Sequence, residues 1–182
     1  MTNLILFYNY FFEFNSNYYY LYSTMIEFAL DNIDLRILRL MQDNARISNV
    51  DMAKQLEMAP SAVLERVKKL EQKLVIQRYT TSVNPAAVGQ KLLAFVFIRT
   101  SEMFGAGATG KALAQIEEVQ EVHSIAGEDC WLVKVRAADS AELMSLMRNK
   151  FAKIPFIQST KTTIVLETIK EEQKVTIPIT KK

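Results

Sequence analysis

One cysteine, one histidine and five glycines in 182 residues set the first limits on this chain. With Cys130 alone, no internal disulfide can form and zinc sites built on paired cysteines are excluded, a usage that fits a reducing, cytoplasmic setting. A lone histidine such as His123 is more often a packed or surface strand residue than a ligand, so no metal, cofactor or catalytic centre is expected. Charge of one sign is also lacking: the formal net charge is only +2, so affinity for a polyanion has to come from local clustering. No Lys or Arg precedes Arg36, and no small-residue cleavage site is visible, so a secretory signal does not fit. Long apolar runs are missing too. Asn3, Asn9, Glu13, Asn15 and Asn17 break the N-terminal stretch before about 20 apolar residues accumulate, and no membrane span is expected. What the chain does have is an apolar fraction of 49%, enough to fold as one large domain or two small ones.

Residues 1–28 are foreign to the rest, with ten Tyr or Phe in the first 22 positions. Met25 lies just ahead of the first helical signal, so residues 1–24 are expected to be an over-extended start or a poorly ordered tail. An aromatic arm for oligomer contacts is the alternative.

From Leu30 the periodicity is helical. "DNIDLRILRLMQDN" puts Ile33, Ile37, Leu40 and Met41 on one stripe behind a capping pair, Asp31 and Asp34. "SNVDMAKQL" opens on Ser48 with Asp51 three residues on, and Val50, Ala53 and Leu56 are expected to face inward. Pro60 suits the first position of a third helix running to about Lys73. At about 100° per residue, Val63, Val67, Leu70 and Leu74 form its inner seam. The opposite arc collects Ser61, Ala62, Glu65, Lys68, Lys69, Gln72 and Lys73, with Arg66 at its edge. A charged arc can be a plain solvated face. Two short capped helices before it, and "VIQRYTTSV" read as a strand-rich wing after it, point instead to a winged helix-turn-helix that binds double-stranded DNA. In that reading Arg66, Lys68, Lys69, Lys73 and Arg78 neutralise phosphates, and Ser61, Ala62 and Glu65 read base edges, with Ser48 and Asn49 also at the DNA.

The stretch from "LDNIDLRILRLMQDNARIS" through "SAVLERVKKLE" to "VNPAAVG" resembles the N-terminal module of the leucine-responsive and asparagine-responsive (Lrp/AsnC) transcription regulators over about sixty positions. Two departures stand out. Ala59 occupies the usual capping serine, and Leu74 the usual helix-ending glycine, so either the helix continues or Leu74 turns left-handed.

The second half reads β-α-β-β-α-β: "KLLAFVFIRT" (91–100), "KALAQIEEV", "QEVHSI", "CWLVKVRA", "SAELMSLMRNKF" capped by Asp139 with Glu142, and "STKTTIVLETI". That order predicts an α+β, ferredoxin-like sandwich with both helices on one sheet face, and the uncovered face predicts a homodimer. The expected layout is an extension at 1–28, a winged helix-turn-helix at 29–84, a linker at 85–90, a ligand-sensing and dimerisation domain at 91–170 and a tail at 171–182. "GAGATGK", 105–111, imitates a phosphate-binding loop, but Ala112 replaces the magnesium-binding Ser or Thr. "AGED" is also too short for the crossover of a parallel nucleotide-binding sheet, so a linker is expected.

"HSIAGEDCWLVKV" is similar to the family's Gly-x-x-Asp loop, which helps bind small effectors, usually amino acids, between dimers. The resemblance implies an effector site at His123, Gly127, Glu128, Asp129 and Cys130. Cys130 stands at the aspartate position, and a neutral thiol cannot pair with an ammonium group as a carboxylate does. The family also implies dimers assembling to an octamer. The leading expectation is therefore a sequence-specific, nucleoid-associated transcription regulator and not an enzyme. A global nucleoid-architectural DNA binder differs only in sequence specificity. A haem-pathway decarboxylase of the same fold would need histidine and arginine around a tetrapyrrole, which one histidine supplies poorly.

Overall fold

The computed structural model describes residues 29–103, 105–127 and 130–178; the aromatic stretch 1–28, including the expected over-extended start, lies outside the described residues. The described chain forms two compact units, one made of 29–82 together with 170–178 and the other of 83–169.

The helical unit holds α1 (Asn32–Asp43), α2 (Asn49–Leu56) and α3 (Pro60–Gln72). Asp31 caps α1 in a reciprocal box with Asp34, and Ser48 caps α2 by accepting from the Asp51 N–H. Ile37, Met52, Ala53, Leu56, Val63, Val67 and Leu70 form its buried centre, with Ile33, Leu40 and Met41 packed around them. Two inward assignments need correction. Val50 is 49% exposed, because Met52 is buried instead and two helical residues lie about 200° apart. Leu74 is also exposed, because α3 stops at Gln72 and Leu74 takes a left-handed φ of 57°. The Val75 N–H then reaches the Leu70 carbonyl and the Leu74 N–H the Glu71 carbonyl, both at 2.9 Å. These are the two bonds of a Schellman ending, built here on a leucine at a penalty of about 1 kcal/mol relative to glycine.

The expected wing is also corrected: residues 75–83 form no strand, since β-branched side chains favour extended backbone but no second segment among the described residues pairs with this one. The Tyr79 hydroxyl instead donates to Glu71 Oε1 at 2.8 Å. Burial, followed by that carboxylate, pushes the Tyr79 phenol up to about 12. Its folded value lies above the ordinary value near 10, so its stabilising contribution is complete below about pH 10 and is lost between there and about 12. Difference ultraviolet titration of the protein against Tyr79→Phe is expected to show one phenol ionising near pH 12. Ionisation at 10 would mean the Glu71 contact does not persist.

Residues 170–178 belong to this unit through α1. The Gln42 side-chain amide donates to the Val175 carbonyl at 3.1 Å and accepts from the Val175 N–H at 2.9 Å. Arg39 Nη2 donates to the Ile177 carbonyl at 2.6 Å, and Lys174 pairs with Asp43. The expected tail at 171–182 is thus, in its described part, a strap on the first helix.

The second unit contains β1 (Leu92–Thr100), α4 (Ala108–Leu113), β2 (Val119–Ser124), β3 (Trp131–Ala137), α5 (Ser140–Asn149) and β4 (Ile157–Ile164). The sheet order is β2-β3-β1-β4, antiparallel throughout, as the ferredoxin-like reading requires. Ala94, Val96 and Ile98 of β1 join Val133, Val135 and Ala137 of β3 under Leu113, Leu143, Leu146 and Phe151. Two boundaries differ from expectation. The first helix starts inside the Gly-rich segment and ends at Leu113, and the last strand begins at Ile157 and ends at Ile164. Asp139 caps α5 by accepting from the Glu142 N–H at 2.9 Å. On the opposite sheet face Phe95, Phe97 and Leu132 are only half-buried, and Lys161 Nζ lies 5.8 Å from the centre of the Phe97 ring.

Candidate nucleic-acid interface

Helix α3 divides along its length. Val63, Val67 and Leu70 are fully or nearly fully buried, which fixes the direction of the opposite arc. On that arc Ser61, Glu65, Lys68, Lys69 and Lys73 are exposed and Ala62 is half-buried. None of these lysines turns inward. Arg78 is exposed on the extended segment beyond the helix. No side chain caps the start of α3, as Ala59 at the capping position implies, and Pro60 supplies the first-turn φ.

Ser48 is occupied at the start of α2, where its hydroxyl donates to Asp51 Oδ2 at 2.6 Å and accepts from the Asp51 N–H at 3.0 Å. That hydroxyl, more than Lys54, holds the Asp51 carboxyl below its usual range. Asn49 follows it, half-buried.

Arg66, expected to neutralise phosphate, is engaged within the protein. Its Nη1 donates to Asp31 Oδ2 and to Asp34 Oδ1, each at 2.7 Å. The Asp34 N–H holds the Asp31 carboxyl below its usual range against the opposing effect of partial burial, and Arg66 lowers it further. A groove of about 440 Å³ runs along this flank, lined by Leu30, Asp34, Ala62, Glu65, Arg66, Lys69, Leu70 and Lys73. The aspartates were legible as a cap, but their pairing with an arginine 32 and 35 residues away left no local signal.

The Gly-rich imitation of a phosphate loop is already filled by the chain's own anion. Glu102 accepts from the Ala108 N–H at 2.6 Å and the Thr109 N–H at 3.1 Å, so the start of α4 carries a carboxylate where a nucleotide phosphate would sit.

Of the five effector-loop positions, Glu128 and Asp129 lie outside the described residues. Gly127 has a φ of 143°, a conformation open to glycine, with empty space where a Cβ would stand. The Cys130 N–H donates to the Ile98 carbonyl at 2.8 Å, and its own carbonyl accepts from the Ile125 N–H at 3.1 Å. Cys130 thereby closes the β2–β3 hairpin, half-buried. His123 Nε2 lies 3.2 Å from Glu121 Oε2, and Lys134 Nζ lies 3.0 Å from the other oxygen. Burial pushes the Glu121 carboxyl up, but Lys134 and then His123 outweigh it and hold it low. His123 is therefore engaged on its own strand. Among the described residues no helix is long and apolar enough to cross a membrane, and no group of three or more metal-ligating side chains exists.

Residues 30–71 match the AsnC-type helix-turn-helix domain, and residues 93–175 match the Lrp/AsnC ligand binding domain. The leucine-responsive regulatory protein of Haemophilus influenzae is 37% identical over 150 residues, covering 79% of this chain and 87% of that protein. The solved structure of Escherichia coli AsnC superposes with a TM-score of 0.75 at 28% identity, covering 83% of this chain and all of that one. The feast or famine regulatory protein of M. tuberculosis, complexed with L-methionine, gives 0.76 at 33% identity over 82% of this chain and 100% of its own. With both halves matched in order, and with the fold built as those relatives build theirs, this chain belongs to the Lrp/AsnC family of transcription regulators.

Proposed function

We propose that α3 enters the major groove of DNA with its first turn foremost. Ser61, Ala62 and Glu65 then face base edges, and Lys68, Lys69, Lys73 and Arg78 reach phosphates. Ser48 and Asn49, at the start of α2, lie against the backbone. The carrying observation is the exposed cationic arc opposite a fully buried seam, which leaves those lysines no partner-rich inner surface. The half-buried Phe95, Phe97 and Leu132 are the surface through which two copies join, giving the paired recognition helices that a two-fold operator needs, with dimers assembling further to an octamer. The effector is an amino acid held near Gly127 and Cys130. L-Methionine in the M. tuberculosis relative supports that chemistry, although Cys130 cannot grip an ammonium group as a carboxylate would.

Genomic fragments bound by the protein, selected with and without a panel of amino acids, test specificity and response together. On a selected fragment, Lys68→Ala with Lys69→Ala is expected to weaken binding and to lower the slope of log affinity against log salt by about two. An unchanged slope sinks the assignment of the arc. Equal affinity for all fragments favours the architectural reading.

A further inference from the structure

We infer that Arg66 is a positioning residue of the recognition helix: it fixes how α3 is seated on α1, rather than touching DNA itself. The inference rests on the reading of α3 as the DNA-entering helix.

The geometry is a shared-atom arrangement. Asp31 uses Oδ1 to accept from the Asp34 N–H at 2.8 Å, and Asp34 uses Oδ2 to accept from the Asp31 N–H at 3.2 Å. Each carboxylate then has one oxygen left, Asp31 Oδ2 and Asp34 Oδ1. Both face the same Arg66 nitrogen at 2.7 Å. The cap that starts α1 and the clasp on α3 are therefore one unit of four hydrogen bonds, in which neither aspartate can move without loosening both. Arg66 sits roughly 60° around α3 from the Val63–Val67–Leu70 seam, at the edge of the exposed arc. The apolar seam alone resists separation but allows sliding and rotation, because dispersion contacts are weakly directional. A charge-assisted donor held by two carboxylates is directional, and it fixes the rotation of α3 that decides which side chains face a groove.

A phosphate-binding Arg66 and a positioning Arg66 give opposite results when the aspartates lose their charge. Asp31→Asn with Asp34→Asn adds two units of positive charge. Were Arg66 a phosphate ligand, that change would release it and tighten binding, with a steeper salt dependence. As a positioning residue it loses its hold. Affinity for a fragment selected by the unaltered protein is then expected to fall on the order of tenfold. Affinity for sonicated mixed-sequence duplex should hold or rise, and the salt slope should stay within half a unit.

Arg66→Ala is expected to reproduce the loss with the same slope, and the triple variant should be no worse than either alone. Thermal melts keep the comparison below each variant's transition. Should the double variant melt too low, Asp31→Asn alone carries the test, since asparagine still caps a helix. Tighter specific binding by the aspartate variants, or a slope lowered by about one in Arg66→Ala, overturns the inference. If Lys68→Ala with Lys69→Ala also leaves binding unchanged, the reading of α3 itself is what failed.

Discussion

Replacing Ile37 by alanine is expected to unfold the helical unit at physiological temperature. Ile37 is completely buried in a cluster that holds, among the described residues, seven buried side chains contributed by all three helices. Truncating a buried isoleucine costs about 2–5 kcal/mol, through lost transfer free energy and the cavity left behind. A unit of this size has about 3–8 kcal/mol in total at ordinary per-residue stabilities. Among the described residues the fully buried side chains of this cluster all come from α1, α2 and α3, with Leu30, Ile47, Met58, Val75 and Ile76 only partly buried around them, so little is at hand to fill the hole. Calorimetry should show the transition of this unit falling by more than about 10 °C, with DNA binding lost as it falls. Ile37→Val, costing about 0.5–1.5 kcal/mol, should keep both. A full-affinity Ile37→Ala protein would mean that the packing of α3 does not depend on α1.

Gly110→Ala is the second large effect, and its sign is opposite to the usual one for a glycine inside a helix. Alanine there normally gains up to about 1 kcal/mol by restricting the unfolded chain. Here a Cβ would stand 2.4 Å from Cη2 and 2.5 Å from Cζ3 of Trp131. The indole is a rigid plate on β3, packed against the core of the ferredoxin-like unit, so it cannot yield as a flexible side-chain end would. Overpacking of this kind costs about 1–3 kcal/mol, which outweighs the helical gain. Denaturant melts should show a net loss of about 1–2 kcal/mol. Fluorescence of Trp131, the sole tryptophan, should shift as the ring moves outward. Trp131→Leu in the same chain should remove the penalty. A stabilised Gly110→Ala protein would show that the ring relocates freely.

Local chemistry was what the sequence made legible. The caps at Asp31, Ser48 and Asp139 each needed only three or four neighbours, and all three stand where the spacing puts them. The strand at 92–100 and the order of the second half were equally plain, because alternation and turn residues lie within single segments. Misread features depended on partners far along the chain. The wing failed because an extended segment becomes a strand only when another pairs with it. Val50 and Met52 exchanged places because both are apolar within one turn and only the packing of the other helices decides between them. Arg66 read as one more cation on a basic helix until the carboxylates that hold it, one turn into a different element, came into view. The exposed lysines needed no such partner, and their direction followed from the seam alone.

The strap at 174–177 makes the helical unit discontinuous in the chain. During synthesis its three helices leave the ribosome first, yet Gln42, Arg39 and Asp43 wait for residues that emerge only after the entire sheet domain has been made. A fragment cut after Ser82 would hold all three helices and still present the strap-binding side of α1 to water. Severing the protein between its two halves thus removes a piece of the part that is kept.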